Sequence, residues 1–81
     1  MLLLPVDVEC ISGYKAEESP RVVHGMEGPI EVTEILDRWY QGDADPGQPP
    51  ADYFRVRSRD DKQYLLKHDR RSDLWYVCVP E

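Results

Sequence analysis

Cysteine, phenylalanine, tryptophan and long apolar runs are all scarce in this chain of 81 residues. It has two cysteines, Cys10 and Cys78, in no CxxC spacing. That is too few for a disulfide framework and the wrong pattern for a zinc ribbon. No stretch of about 18 consecutive apolar residues is present, so the sequence gives no sign of a membrane-spanning helix. The opening MLLLPV carries three leucines before Pro5 and no basic segment, so it is read as neither a signal peptide nor a membrane span. The expectation is a cytoplasmic protein whose thiols stay reduced. Cys10 and Cys78 fall in strands near opposite ends that could pair and bring the sulfurs close, but two ordinary thiols are the expectation. There is no Gly-rich phosphate cradle and no internal repeat.

Bases are also in deficit, with ten against sixteen acids and a net charge of −6. The deficit is uneven. Residues 1–40 hold eight acids and three bases, whereas residues 41–81 hold eight acids and seven bases. A net acidic chain is a poor general binder of nucleic acid, because that binding is driven by phosphate neutralisation. A local basic stripe in the second half stays open. The length suits one domain, 1–81, whose core supplies roughly 3–5 kcal/mol of net stability. A rigid cavity for a large cofactor is not expected, and no cofactor is assigned.

What the chain does have is β pattern. Leu2 to Ser12 reads as a first strand, with Val6, Val8 and Cys10 alternating with Asp7, Glu9 and Ile11. Gly13 and the polar run 15–19, closed by Pro20, read as a loop. Residues 21–24 are short and β-branched and should form a hairpin with Ile30 onward, across a turn marked by Gly25, Gly28 and Pro29. Residues 30–41 are ambiguous. Ile30 and Val32 alternate with Glu31 and Thr33 as a strand would, yet Val32, Ile35, Leu36 and Trp39 also make a helical stripe. The reading adopted is a long strand with a bulge near Thr33 and Glu34, which would let Ile30, Val32, Ile35 and Trp39 share a face. A short helix at 33–41, giving an α+β fold, is the alternative. Residues 41–52, QGDADPGQPPAD, read as a flexible loop.

The last third reads as three strands, YFRVRS, KQYLLKH and LWYVCV, separated by RDD and DRRSD. Phe54 and Val56 should face the core. For Tyr64 and Leu66 to join them, Val56 must lie opposite Tyr64 and Phe54 opposite Leu66. That register needs an odd loop, Arg59-Asp60-Asp61, because a two-residue turn would flip one strand's face. In the last strand Trp75, Val77 and Val79 should be buried, with Tyr76 and Cys78 outward or against a neighbouring element. Tyr53, Arg55, Arg57, Leu65, Lys67 and Tyr76 then share one outer face. Bases interleaved with rings could serve a single-stranded nucleic acid, with cations for phosphate and rings for stacking. They also describe an ordinary solvated sheet face, where Arg and Lys stems cover exposed rings.

Chemistry-bearing residues are few. His24, His68, Cys10 and Cys78 are the only good soft-metal ligands and follow no ligand spacing, so no metal is assigned. A Cys–His nucleophilic pair lacks a flanking motif and a third orienting group. His68-Asp69 reads as a turn in which Asp69 accepts from nearby backbone N–H groups. Glu17-Glu18 and Asp60-Asp61 are adjacent acids, which on a strand point to opposite faces rather than form a catalytic pair. An enzyme is the weakest reading.

Four segments carry a resemblance: LDRW at 36–39, YFRV at 53–56, YLL at 64–66 and WYV at 75–77. With them the chain resembles a family of small uncharacterised bacterial β-domain proteins. It is similar, too, to the C-terminal segment of the catalytically inactive Y-family polymerase homologue of bacterial mutagenesis systems. The resemblance implies a β fold and lends the nucleic-acid reading a link to DNA repair or mutagenesis. It implies no activity. The Pro/Asp-rich central loop departs from the family, whose members often carry a pair of tryptophans there.

The expected fold is therefore all-β, a small antiparallel meander or SH3-like barrel of five or six strands closed by the terminal strand. The expected role is a non-catalytic protein-interaction module with no membrane partner, using Tyr53, Arg55, Arg57, Lys67 and Tyr76. The alternative is an accessory single-stranded nucleic-acid-binding module on the same face.

Overall fold

A computed structural model describes residues 2–12, 18–25, 28–42 and 50–80 of the chain. Six strands follow one another: β1 (Leu2–Ser12), β2 (Glu18–Gly25), β3 (Gly28–Gln41), β4 (Ala51–Ser58), β5 (Gln63–Asp69) and β6 (Leu74–Val79). Every neighbouring pair is antiparallel, and β6 returns to β1, so the order β1-β2-β3-β4-β5-β6 closes a barrel. No helix is present among the described residues, and the helical alternative at 33–41 is overturned. None of them, accordingly, forms a helix long and apolar enough to cross a membrane.

The barrel is two sheets that share their long strands. Residues 2–6 of β1 pair with β6, whereas residues 7–12 pair with β2. Likewise residues 28–31 of β3 pair with β2 and residues 32–41 with β4. The larger sheet thus runs β1-β6-β5-β4-β3, and the smaller one, built from β1, β2 and β3, folds over it. Strands that change sheets need local bends, and bulges supply them. One bulge lies at Glu9/Cys10, where β2 contributes Val22 and then Pro20 opposite β1, with Arg21 between them. Pro20 is buried within β2, and a bulge is where a proline fits a ladder. The loop expected to end at Pro20 is shorter than the composition suggested, since residues 18–20 pair with β1.

Two more irregularities fall in β3, at Val32/Glu34 and Ile35/Asp37. They resolve the ambiguity of this segment. Each bulge adds a residue, so the side turned to the core side of β4 steps through Val32, Ile35 and Arg38 before Tyr40. Three-residue steps in a doubly bulged strand imitate the i, i+3 spacing of a helix. The second bulge also corrects one expectation. Ile35 lies opposite Val56 on the inner side, but Trp39 lies opposite Tyr53 on the outer side, so the two do not share a face.

The C-terminal hairpins follow the expected register. Val56 pairs with Tyr64 and Phe54 with Leu66. The connection is the odd loop, Arg59-Asp60-Asp61. Asp61 N–H donates to the Ser58 carbonyl at 3.0 Å and Ser58 N–H to the Lys62 carbonyl at 2.8 Å. Asp61 takes φ 64°, the left-handed residue that a three-residue hairpin requires. Between β5 and β6, Asp69 accepts from the N–H groups of Arg71 (2.9 Å) and Ser72 (3.3 Å), as the His68-Asp69 pair suggested. Residues 26–27 and 43–49 lie outside the described residues. The ends of the expected 41–52 loop do not: Gln41 pairs with Ala51 and Tyr40 with Asp52.

Val23, Phe54, Val56, Leu66 and Trp75 form the core, with Val6, Val8, Cys10, Ile30, Val32, Tyr64 and Val77 packed against it. Phe54, Val56 and Leu66 are at most 1% exposed. Phe54 meets Trp75 in a tilted ring pair, centroids 5.4 Å apart. Burial of such side chains, at about 1.5–3 kcal/mol each, is the main favourable term in a domain this small.

Candidate binding face and barrel rim

The outer wall of the larger sheet carries the residues singled out from the pattern. Tyr53, Arg55 and Arg57 of β4 alternate with the buried Phe54 and Val56. Tyr53 pairs with Lys67, and Lys67 with Tyr76. Register alone therefore brings Tyr53, Lys67 and Tyr76 into one row across three strands, with Pro5 of β1 next to Tyr76.

Trp39 completes that row at the other end. It pairs with Tyr53, and the rings stack with centroids 5.5 Å apart and planes 7° apart. Lys67 Nζ lies 5.9 Å from the Tyr53 centroid. Such contacts contribute roughly 0.5–1.5 kcal/mol for a ring pair and less for an exposed cation on a ring. Trp39 remains 39% exposed, on a stretch of β3 that, among the described residues, pairs only with β4. Sequence reasoning missed it because its parity depends on the second bulge in β3. A Trp beside Asp37 and Arg38, both exposed, was the available signal.

The cations of this face differ in what they meet. Arg57 is held by acids on both sides, with Nη1 3.8 Å from Glu34 and Nε 3.5 Å from Asp61. Its Nε is buried and makes no hydrogen bond. Arg55 is exposed, lies opposite Asp37 and Leu65, and makes no ion pair with a described residue. The five residues share a face, but Arg57 is largely neutralised within it. Cys78, expected outward or against a neighbouring element, has the outer parity and is only 8% exposed, because it sits in register between Leu3 and Leu65. Burial pushes its thiol pKa up, which favours the unreactive protonated form.

A second polar group lies at the barrel rim, where no site was expected. Asp52, read as loop, is 6% exposed and receives both Arg70 Nε (2.8 Å) and Nη2 (3.0 Å). The Arg70 guanidinium lies 4.4 Å from the Tyr40 centroid. His68 pairs with Asp52 across the ladder, stacks on Trp75 at 4.4 Å, and has Nε2 2.7 Å from Asp73. The four soft ligands are dispersed. Cys10 packs on the core, Cys78 on the outer wall, His24 against Glu9 at 2.8 Å, and His68 at the rim. Both cysteines are free thiols. Among the described residues no three His, Cys, Asp or Glu side chains converge as metal ligands would. No family model, curated protein or solved structure matches this chain.

Proposed function

We propose that the chain is a non-catalytic, cytoplasmic interaction module that receives an extended basic segment of a partner protein on its outer wall. The observation that carries this reading is the Lys67–Tyr53–Trp39 stack, which ends in a half-exposed indole on the outermost strand of the larger sheet. A planar arginine side chain extends such a stack, because guanidinium groups lie favourably on indole faces. Asp37, two residues along β3, supplies a carboxylate on the same wall, and the net charge of −6 favours encounter with a basic partner. Tyr53, Arg55, Lys67 and Tyr76 line the path across the sheet, and Arg57 holds Glu34 in place at its side.

A single observation favours a second reading. Arg55 makes no ion pair with a described residue and lies two residues along β4 from Tyr53 on the same wall, so a nucleobase on Trp39 with a phosphate on Arg55 is a coherent alternative, linked to DNA repair through the family resemblance. Amide-resolved NMR separates the two. A short arginine peptide should shift Trp39, Tyr53 and Asp37, lose binding on Trp39→Ala, and keep binding on Arg55→Glu. A short oligo-dT should give no shifts on this wall at low salt. Salt-sensitive oligo-dT shifts at Tyr53, Arg55 and Tyr76, abolished by Arg55→Glu, would replace the peptide reading with the nucleic-acid one.

A further inference from the structure

The larger sheet has two edge stretches that no further described strand covers. One is residues 32–41 of β3, which pair with β4 alone, and the other is residues 2–6 of β1, which pair with β6 alone. An uncovered edge invites pairing with another chain, and proteins blunt it with bulges, charges or proline. The β3 edge is blunted along its length. It has two bulges, Glu34, Asp37 and Arg38 are exposed on it, and Asp37 accepts the Arg38 N–H at 2.8 Å. The β1 edge is built differently. Its ladder with β6 is regular, and neither residues 2–6 nor residues 74–79 beside them hold a charge, in a chain of net charge −6. Leu2, Leu3 and Leu4 are 50%, 40% and 38% exposed there. Leu2 and Leu4 share the parity of Val6, which packs on the core, so two core-facing leucines lie open to solvent.

We propose that this edge binds a second copy of the chain through an antiparallel β1–β1 pair centred on Leu3. The sequence is self-complementary about that residue. With Leu3 opposite Leu3 of the second copy, Leu2 falls opposite Leu4 of that copy and Leu4 opposite its Leu2. Each leucine then meets a leucine on its own side of the sheet, as a two-fold contact requires. The backbone agrees with this centre. A proline fits a paired strand with its nitrogen turned from the neighbour, so Pro5 turns its nitrogen away from β6. Leu3, two residues back, has the same orientation and offers its N–H and C=O to the second copy. Pro5 has no N–H to add, which confines the new ladder to the three leucines. Charge selects the occupant. Two acidic copies meet here through uncharged strands, whereas a basic segment finds no carboxylate on residues 2–6. The patch is small beside the roughly 800 Å² per partner of a stable complex, so the dimer is a weak one. The edge is separate from the Trp39 stack, and either can fail without the other.

The test is sedimentation equilibrium of the full chain up to about 1 mM, with amide-resolved NMR over the same range. The parent chain should dimerise reversibly, with concentration-dependent amide shifts at Leu3, Leu4 and Cys78. A monomer throughout, or dimerisation that leaves Leu3 and Leu4 unmoved, overturns the proposal without any substitution. Leu3→Lys and Leu3→Glu should each weaken the dimer by at least about tenfold, because like charges then lie directly opposite at the axis. Mixed one to one, the two variants should associate again, since opposite charges face each other. Ile35→Lys, on the β3 edge, should leave the dimer unaltered. A mixture that stays monomeric while both variants melt cooperatively, or a dimer lost in Ile35→Lys and kept in Leu3→Lys, refutes the β1 pair.

Discussion

Replacing Leu66 by alanine tests the register on which every statement about the outer wall depends. Leu66 is 0% exposed and sits between Phe54 on β4 and Val77 on β6. Truncation removes fully buried methyl groups and leaves a cavity that neighbours in a closed barrel cannot collapse into, so the cost is about 3 kcal/mol. That is comparable to the whole net stability expected of a core this small, roughly 3–5 kcal/mol. Leu66→Ala should therefore be close to half unfolded, or melt about 12–24 °C below the parent. Leu66→Val, at about 1 kcal/mol, stays measurable if the alanine variant does not fold. The partner experiment is Leu65→Ala. Leu65 is next in sequence but faces outward opposite Arg55, half-buried, and should cost about 1 kcal/mol or less. Urea denaturation followed by circular dichroism gives both numbers. A larger loss for Leu65→Ala than for Leu66→Ala would mean the hairpin pairs one residue out of register, and the outer row would dissolve with it.

A double-mutant cycle on Trp39→Ala and Tyr53→Ala should give a coupling of about 0.5–1.5 kcal/mol, and additive losses would show that the rings do not stack in solution. Cys78 should resist iodoacetamide at neutral pH in the folded protein and react once urea unfolds it, read by mass spectrometry; rapid labelling of the native chain would contradict its burial. The Asp60 carboxyl is held below its ordinary pKa of 3.8 chiefly by the Ser58 hydroxyl. For Asp69, burial works upward, but the N–H groups of Ser72 and Arg71 outweigh it and the pKa also falls below 3.8. A lowered folded pKa adds stability that is complete above about pH 3.8 and is lost as pH falls through the folded values, so melting temperature should drop on acidification below that point. Asp60→Asn with Asp69→Asn should flatten the drop, and an unchanged profile would remove these turns as its cause.

The strands themselves were legible because their signals are local. Alternation in 2–12 and 53–58, and an odd loop at Arg59-Asp60-Asp61, fix which residues face inward without any knowledge of the third dimension. Tyr53, Arg55, Arg57, Lys67 and Tyr76 followed onto one wall for the same reason. What could not be read was the second bulge of β3 and whatever depends on the meeting of distant strands. Trp39 joins the outer row because a second bulge in β3, at Ile35/Asp37, undoes the change of parity made by the first, which the sequence had placed near Thr33 and Glu34. Asp52 looked like loop because it follows a Pro-rich run, yet Arg70, 18 residues later, lets it be buried as a paired charge. The free edge at residues 2–6 arises because β1 leaves one sheet for the other, a consequence of barrel closure. Period and loop length are properties of neighbouring residues, so the sequence by itself determined the strands and the inward faces. Bulges and closure are set by how the sheets pack, so only the tertiary structure decided which side chains complete the outer wall and where the wall opens.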